Sequence, residues 1–192
     1  MHLYTIGHST HSTEKFVELL SEHSITAVCD VRSSPYSKYN PQFNRETLQK
    51  DLKGYGISYV FLGKELGPRS DDPSCYAGGK VQYHKLAEAD SFRHGLERIK
   101  KGMQSYRIAL MCSEKDPVTC HRTILICRHL RPDEIEIRHI LEDGSIENNR
   151  DAEKRLMRML KIPETDLFDS EEDLIQRAYD KQSEKIAYTQ SV

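Results

Sequence analysis

Short apolar runs alternate along this chain with stretches of helical periodicity, and that alternation predicts a mainly parallel sheet covered by helices. Leu3–Ile6 reads as a first strand, and the helix after it, around Thr13–His23, repeats Phe16, Leu19 and Leu20 at helical spacing. A second strand, Thr26–Val31, is an apolar run broken at Asp30, and it opens into a Ser-, Pro- and Tyr-rich loop, Arg32–Phe43. Asn44 suits an N-cap for a helix over Arg45–Lys53, with Gly54 as its stop. A third strand spans Ile57–Leu62. Gly63–Lys80, rich in Gly and Pro, reads as a long loop, and such loops in compact domains are commonly functional. A helix over Ser91–Lys101 ends at Gly102, and a fourth strand covers Arg107–Cys112. The helix Cys120–Leu130 is stopped by Arg131-Pro132, and a fifth strand, Ile135–Leu141, closes at Asp143-Gly144.

Beyond Asn148-Asn149 the pattern becomes charged and helical, over Asp151–Leu160 and Asp169–Lys185. The expectation is an α/β fold: a core domain over residues 1–149, with a mostly parallel sheet of about five strands flanked by helices. A helical C-terminal appendage would follow over 150–192, with Arg155, Arg158 and Lys161 on a solvated helix face. At 192 residues the chain is long enough to bury a substantial core.

Composition narrows the classes. A net charge of −2 leaves no global basic footprint, so any contact with nucleic acid needs a local cluster of Lys and Arg. No run of apolar residues approaches a membrane span, and the first residues read as a strand rather than a signal peptide, so no membrane partner is expected. The five cysteines, Cys29, Cys75, Cys112, Cys120 and Cys127, are odd in number and lie mostly in or beside strands and helices. That usage fits reduced thiols and a cytoplasmic location.

The chemistry concentrates in Met111–Arg122, which reads as a strand end, a loop and the first turn of a helix. Ligands of open α/β sheets bind beyond the carboxyl ends of the strands, so this loop points at the expected site. A thiol at a helix N-terminus beside His121 and Arg122 is expected to have a lowered pKa, which makes Cys120 the first candidate nucleophile and Cys112 the second. Glu114 and His8 are the candidates for proton transfer. Both cysteines compete with a plain packing role. Nine residues separate Cys112 from Arg122, a longer loop than the phosphate-cradling loop of cysteine phosphatases.

Other strand ends add Gly7-His8-Ser9 and Asp30-Val31-Arg32, while His139 lies in the fifth strand, where it reads equally well as a satisfied core histidine. Arg32 and Arg122, with His8, His121, Ser9 and Tyr36, are the candidate binders of an anionic substrate, with a buried ion pair to Asp30 or Glu114 the competing role for Arg32. The loop from Arg32 to Arg45 interleaves basic and aromatic residues, the combination that stacks bases and holds phosphates, or else covers the core edge. Cys112, Glu114, Cys120, His121, His8, Asp30 and His139 are also metal-ligand types. No C-x-x-C pair is present and adjacent Cys120 and His121 are awkward joint ligands, so no metal and no cofactor are assigned.

Tyr4-Thr5-Ile6-Gly7-His8-Ser9, Asp30-Val31-Arg32 with Pro35 and Ser37, Cys112-x-Glu114, Cys120-His121-Arg122 and His139-Ile140 together resemble one family, the prokaryotic domain of unknown function 488. The resemblance covers about residues 3–145 and leaves the tail outside. It implies the same fold and directs attention to His8, Arg32, Cys112, Glu114, Cys120, His121 and Arg122, but implies no activity. The reading is therefore an enzyme of uncharacterised reaction, with a strand-end site for an anionic, nucleotide- or nucleic-acid-like substrate and thiol chemistry. Its rivals are a non-catalytic binding module and a metal-dependent hydrolase. Oligomeric state is not legible.

Overall fold

The structure, a computed structural model, describes residues 1–133 and 135–190; Glu134 and the last two residues of the expected appendage, Ser191 and Val192, lie outside them. The chain runs β1 (His2–Gly7), α1 (Thr13–Glu22), β2 (Ala27–Asp30), α2 (Arg45–Gly54), β3 (Ser58–Phe61) and the single turn α3 (Gly63–Leu66). It continues through β4 (Tyr76–Ala77), β5 (Lys80–Val81), α4 (Tyr83–Glu88), α5 (Asp90–Gly102) and β6 (Ile108–Cys112). A π-helical run, Arg122–Cys127, leads into α6 (Arg128–Leu130), then β7 (Glu136–Ile140), β8 (Ile146–Asn148), α7 (Asn149–Met159) and α8 (Glu171–Ile186).

Six strands form the main sheet in the order β3-β2-β6-β1-β7-β8, with β8 antiparallel to β7 and all other pairs parallel. The central strand β6, Ile-Ala-Leu-Met-Cys, is buried at every position, as parallel strands covered on both faces must be. Strand alternation divides the interior in two. Tyr4, Ile6, Val28, Ala109 and Met111 point to a smaller core under α1 and α2, filled by Phe16, Leu20, Phe43, Leu48 and Leu52. Leu3, Ala27, Cys29, Leu110 and Cys112 point to the larger core under α5, the π-helical run, α7 and α8. Ala152, Leu156, Leu174, Ala178 and Tyr179 of α7 and α8 belong to that larger core. Truncating a leucine enclosed there, such as Leu156 or Leu174, costs roughly 2–5 kcal/mol.

Several elements depart from the expected ones. β8 was not anticipated: it is three residues long, with Ile146 exposed, so it carries no apolar run. Gly63–Lys80, expected as loop, contains α3 and a β4–β5 hairpin turned by Gly78 and Gly79 at φ 55° and 75°, two left-handed residues that only glycine adopts cheaply. Asn44 stands at the start of α2 without a side-chain cap bond; its Oδ1 accepts instead from the Ser37 amide at 2.7 Å, pinning the Arg32–Phe43 loop. Among the described residues no helix is long and apolar enough to cross a membrane.

Candidate functional site

Because β2, β6 and β1 are adjacent and parallel, their carboxyl ends form one rim. Backbone pairing continues past the strands, with the His8 amide donating to the Cys112 carbonyl and the Ser9 amide to that of Ser113, both at 2.9 Å. Gly7 permits this closeness: a Cβ there would overlap the Glu114 carbonyl, so the Cys112–Cys120 loop lies directly against the end of β1. Ser9 turns away at φ 48°, a sparsely populated conformation for a residue with a side chain.

Four side chains of this loop and the following turn converge. The Cys112 thiol donates to Glu114 Oε2 at 2.9 Å and the Cys120 thiol donates to the same oxygen at 3.2 Å. His121 Nδ1 lies 3.6 Å from Cys112 Sγ and 3.8 Å from Cys120 Sγ, while its Nε2 is 3.0 Å from the Val31 carbonyl. One ligand-type atom from each residue lies within 4.8 Å of all the others. Cys112, Cys120 and His121 are buried; Glu114 is exposed as a residue, although its carboxylate turns in toward the thiols. Desolvation works to raise the Glu114 pKa, but hydrogen bonds from Cys112 and Cys120 outweigh it and leave the carboxylate below its ordinary range.

Two expectations about this loop change. Cys120 does sit at the entry to a helix, extended at φ −124° and ψ 143° before His121 turns helical. Its thiol is nevertheless pushed well up, by burial first and by the neighbouring Cys112 next, where a helix N-terminus beside His121 and Arg122 argued for a lowered value. Sequence adjacency also does not separate Cys120 from His121. The change from extended to helical backbone between them lets both side chains reach the same point.

Beside this cluster, Arg32 makes a two-pronged pair with Asp30, Nε to Oδ1 at 2.9 Å and Nη2 to Oδ2 at 2.6 Å; the partner is Asp30, not Glu114. Nη2 also donates to the Phe43 carbonyl and Nη1 lies 3.1 Å from His8 Nε2. Tyr59 donates its hydroxyl to Asp30 at 2.7 Å. Burial opposes the Arg32 charge, but the Asp30 bonds prevail and raise its pKa. His8 stacks on Phe43 with ring centroids 4.2 Å apart, and its pKa is lowered to about 4 by burial and then by the Arg32 charge. At neutral pH it is an uncharged imidazole, with Nδ1 on the Ser9 carbonyl and Nε2 facing Arg32.

Arg122, expected among the anion binders, is fully enclosed. It donates to the Glu114 and Lys115 carbonyls and, through Nε, to Thr5 Oγ1 at 3.3 Å, and so ties the loop to β1. Thr5 in turn meets His139 Nδ1 at 2.8 Å; His139 Nε2 meets Asn149 Oδ1 at 3.1 Å, and Asn149 donates to Glu153, which Tyr179 and Arg131 also reach. His139 is thus a satisfied core histidine, paired within the sheet opposite Thr5 rather than at a strand end. Arg155, expected on a solvated face, is half-buried and bridges Asp116 and Glu147.

Past Arg32 the chain enters the wall of a pocket of about 490 Å³, lined by Ser33, Pro35, Tyr36, Arg45, Lys64 and Arg69 among others. None of the ion pairs among the described residues uses Arg45, Lys64 or Arg69. Arg45 lies over the Phe61 ring and Arg69 over that of Tyr188. Gly63 allows the pocket floor to meet the rim, since a Cβ there would overlap the Arg32 carbonyl. Two of these cations, Lys64 and Arg69, lie in Gly63–Lys80, expected as a long Gly- and Pro-rich loop, where no helical or strand period singles out a residue. Tyr83 was missed for a related reason. It lies at the start of the unanticipated α4, and its phenol is pushed up by burial first and then by its nearness to Cys120, Cys112 and Glu114.

No curated protein and no solved structure matches the chain. A family model does, over residues 12–128, which takes in Arg32, both cluster cysteines, Glu114 and His121 but not His8 or α7 and α8. The chain belongs to the family described as domain of unknown function DUF488.

Proposed function

We propose that the protein is an enzyme that acts on an anionic, nucleotide- or nucleic-acid-like substrate at the strand-end rim. The reacting groups are Cys112, Glu114, Cys120 and His121. The observation that carries this reading is the basic pocket beside them. Three cations, Arg45, Lys64 and Arg69, line one cavity against a single lining carboxylate, Asp71, in a chain whose net charge is −2. A guanidinium or ammonium left unpaired in a pocket attracts phosphate or carboxylate, and the Tyr36 and Phe61 rings beside it suit a flat base. Only Arg32 separates this wall from Val31, whose carbonyl holds His121, so a substrate seated by its anion reaches toward the cluster. Arg32 and His8 hold the rim between the two, and the Glu114 carboxylate, on a residue that is itself exposed, is the group placed to take or give a proton.

The test is calorimetric binding of inorganic pyrophosphate and of a short oligonucleotide to wild type and to an Arg45→Ala/Arg69→Ala variant. The expected result is weaker binding in the variant and a salt slope reduced by roughly one per cation removed. Equal affinity in both proteins would remove the pocket from the reading. One observation favours a second, non-catalytic reading: Tyr36 and Tyr39 are 55% and 80% exposed, and Lys38 lies over the Tyr39 ring. These are the parts of a platform for stacking single-stranded bases. If Tyr36→Ala/Tyr39→Ala abolishes oligonucleotide binding while Cys112→Ser and Cys120→Ser change nothing measurable, binding is the function.

A further inference from the structure

The distances within the Cys112, Glu114, Cys120 and His121 cluster come close to those of a coordination shell, with all four ligand atoms within 4.8 Å of one another. Around a tetrahedral ion with metal–sulfur bonds near 2.3 Å and metal–nitrogen bonds near 2.0 Å, sulfur and nitrogen ligands stand about 3.5 Å apart. His121 Nδ1 stands 3.6 Å from one sulfur and 3.8 Å from the other. The same bond lengths place a carboxylate oxygen about 3.5 Å from each sulfur. Glu114 Oε2 lies at 2.9 and 3.2 Å, the shorter separations of a thiol hydrogen bond, and needs to withdraw by only a few tenths of an ångström.

The surroundings are arranged for the same purpose. His121 Nε2 is fixed on the Val31 carbonyl at 3.0 Å, so that nitrogen carries the proton and the Nδ1 lone pair is left facing the two sulfurs. The Arg122 amide points to Cys120 Sγ at 3.5 Å, a contact that suits a sulfur bearing negative charge. Arg122 also grips the Glu114 and Lys115 carbonyls, and Gly7 backs the Glu114 carbonyl from the other side. The carboxylate ligand is therefore held through its own backbone.

We propose that Cys112, Cys120, His121 and Glu114 bind one divalent transition-metal ion of the zinc class, with Glu114 as the exchangeable ligand. The inference deepens the enzyme reading of this rim and names what the cluster holds. Two thiols with an imidazole and a carboxylate, four-coordinate, form a donor set that suits zinc and is too soft for magnesium or calcium. Binding displaces the two thiol protons to solvent, so the ligands are two thiolates, a neutral imidazole and a carboxylate, and the loaded site has a net charge of −1. Three ligands are buried and one is exposed. That division is the pattern of a site that can release its fourth position, as catalytic zinc does, and differs from a closed structural centre. A substrate anion from the adjacent pocket, or a water, then replaces Glu114 on the ion, and the freed carboxylate remains alongside to move a proton.

The experiment is metal analysis of protein purified without chelator from zinc-supplemented medium, followed by cobalt(II) substitution of the chelator-stripped protein. One equivalent of zinc is expected, together with the intense charge-transfer absorption of cobalt–thiolate bonds and the visible bands of tetrahedral cobalt. Cys112→Ser and Cys120→Ser are expected to lose both signals. Glu114→Gln is expected to keep the metal, with affinity lowered on the order of tenfold or more. Circular dichroism of each variant separates loss of ligand from loss of fold, and the exposed Glu114 gives a variant that does not depend on core packing. Wild-type protein that binds neither zinc nor cobalt with its thiols reduced would overturn the proposal, and so would stoichiometric zinc in the Cys112→Ser/Cys120→Ser double variant. Pyrophosphate binding with no metal sinks this inference alone; a bound metal with no anion binding sinks the substrate reading alone.

Discussion

His121 and His139 are both buried imidazoles beside the same sheet, and their surroundings differ in one respect that decides their use. His139 has a partner on each nitrogen, Thr5 at 2.8 Å and Asn149 at 3.1 Å, and each partner is itself engaged, by Arg122 on one side and Glu153 on the other. Each member of this chain of bonds finds its partner within the protein, which leaves no direction for a ligand. His121 has one firm partner, the Val31 carbonyl, and turns its other nitrogen toward two thiols that are weak donors. Closed networks of buried polar groups rigidify a fold, and convergent, half-satisfied ones are where ligands enter. The two regions share one residue pair, since Arg122 belongs to the closed network and Cys120 two positions earlier to the open cluster.

The largest effect expected from this contrast is on stability, from the closed side. Arg122→Ala leaves the Glu114 and Lys115 carbonyls and the Thr5 hydroxyl without their donor and opens a cavity in the core. Loss of about 3–5 kcal/mol is expected, read as a fall in the urea midpoint. By comparison, Cys120→Ser in metal-free protein should cost less than about 2 kcal/mol, because the serine hydroxyl can keep the bond to Glu114 that the thiol makes. Equal costs for the two substitutions would erase the distinction between the regions.

The next effect is a pH dependence. The His139 pKa is lowered to about 3 by burial first and then by the Arg122 charge, and that of His8 is lowered to about 4. Above their unfolded value of about 6.5 both groups are neutral in both states and contribute nothing to the slope. As pH falls below about 6.5 the unfolded chain takes up protons that the folded chain refuses, so stability falls, by up to about 1.4 kcal/mol per pH unit for each group. The decline from these two groups levels off as pH passes below their folded values. Urea midpoints measured between pH 7 and pH 5 are expected to drop in wild type and to drop less steeply in His139→Asn. An unchanged slope in that variant would show that His139 is not held neutral by the network.

How far the sequence reveals this contrast depends on the reach of each interaction. The strands Leu3–Ile6 and Arg107–Cys112 were legible because parallel strands covered on both faces are written as apolar runs, and the family motif marked the loop between Cys112 and Arg122. β8 and the β4–β5 hairpin were not legible, because two- and three-residue strands with exposed positions carry no period. Cys112, Glu114, Cys120 and His121 could be named as a group from their place after β6. Pro117 in the loop favours a turn back that brings Cys120 near Cys112 and Glu114, so that much was legible. The arrival of His121 at the same point was not, because it depends on the backbone turning from extended to helical between Cys120 and His121. The enclosure of Arg122 was the least accessible of all. Its partner Thr5 lies 117 residues away, and the arginine of a Cys-His-Arg motif reads as an anion ligand until Thr5 and the loop carbonyls are seen around it.

The smallest expected effect lies at the edge of both regions. Asp116 accepts from the Val118 amide at 3.1 Å and so caps the turn that leads into Cys120, while Arg155 of α7 grips the same carboxylate through two nitrogens at 2.8 and 3.1 Å. Arg155 and Asp116 are each about a third exposed, at 32% and 35% of their side chains, so water competes for both charges. Pairs of that kind contribute at most about 1 kcal/mol, and the attraction is screened by salt. Arg155→Ala is therefore expected to lower the melting temperature by only a few degrees, with the deficit shrinking as salt is added. Asp116→Ala should cost more, since it removes a helix-type cap as well as the pair. Because Asp116 stands between Glu114 and Cys120, the same two variants also ask whether the open cluster is held from outside. Metal affinity unchanged in Arg155→Ala but weakened in Asp116→Ala would place the control of the ligand loop in its own cap rather than in α7. A loss in Arg155→Ala as large as that in Arg122→Ala would mean that exposure does not separate these arginines, and the ranking by burial would have to be abandoned.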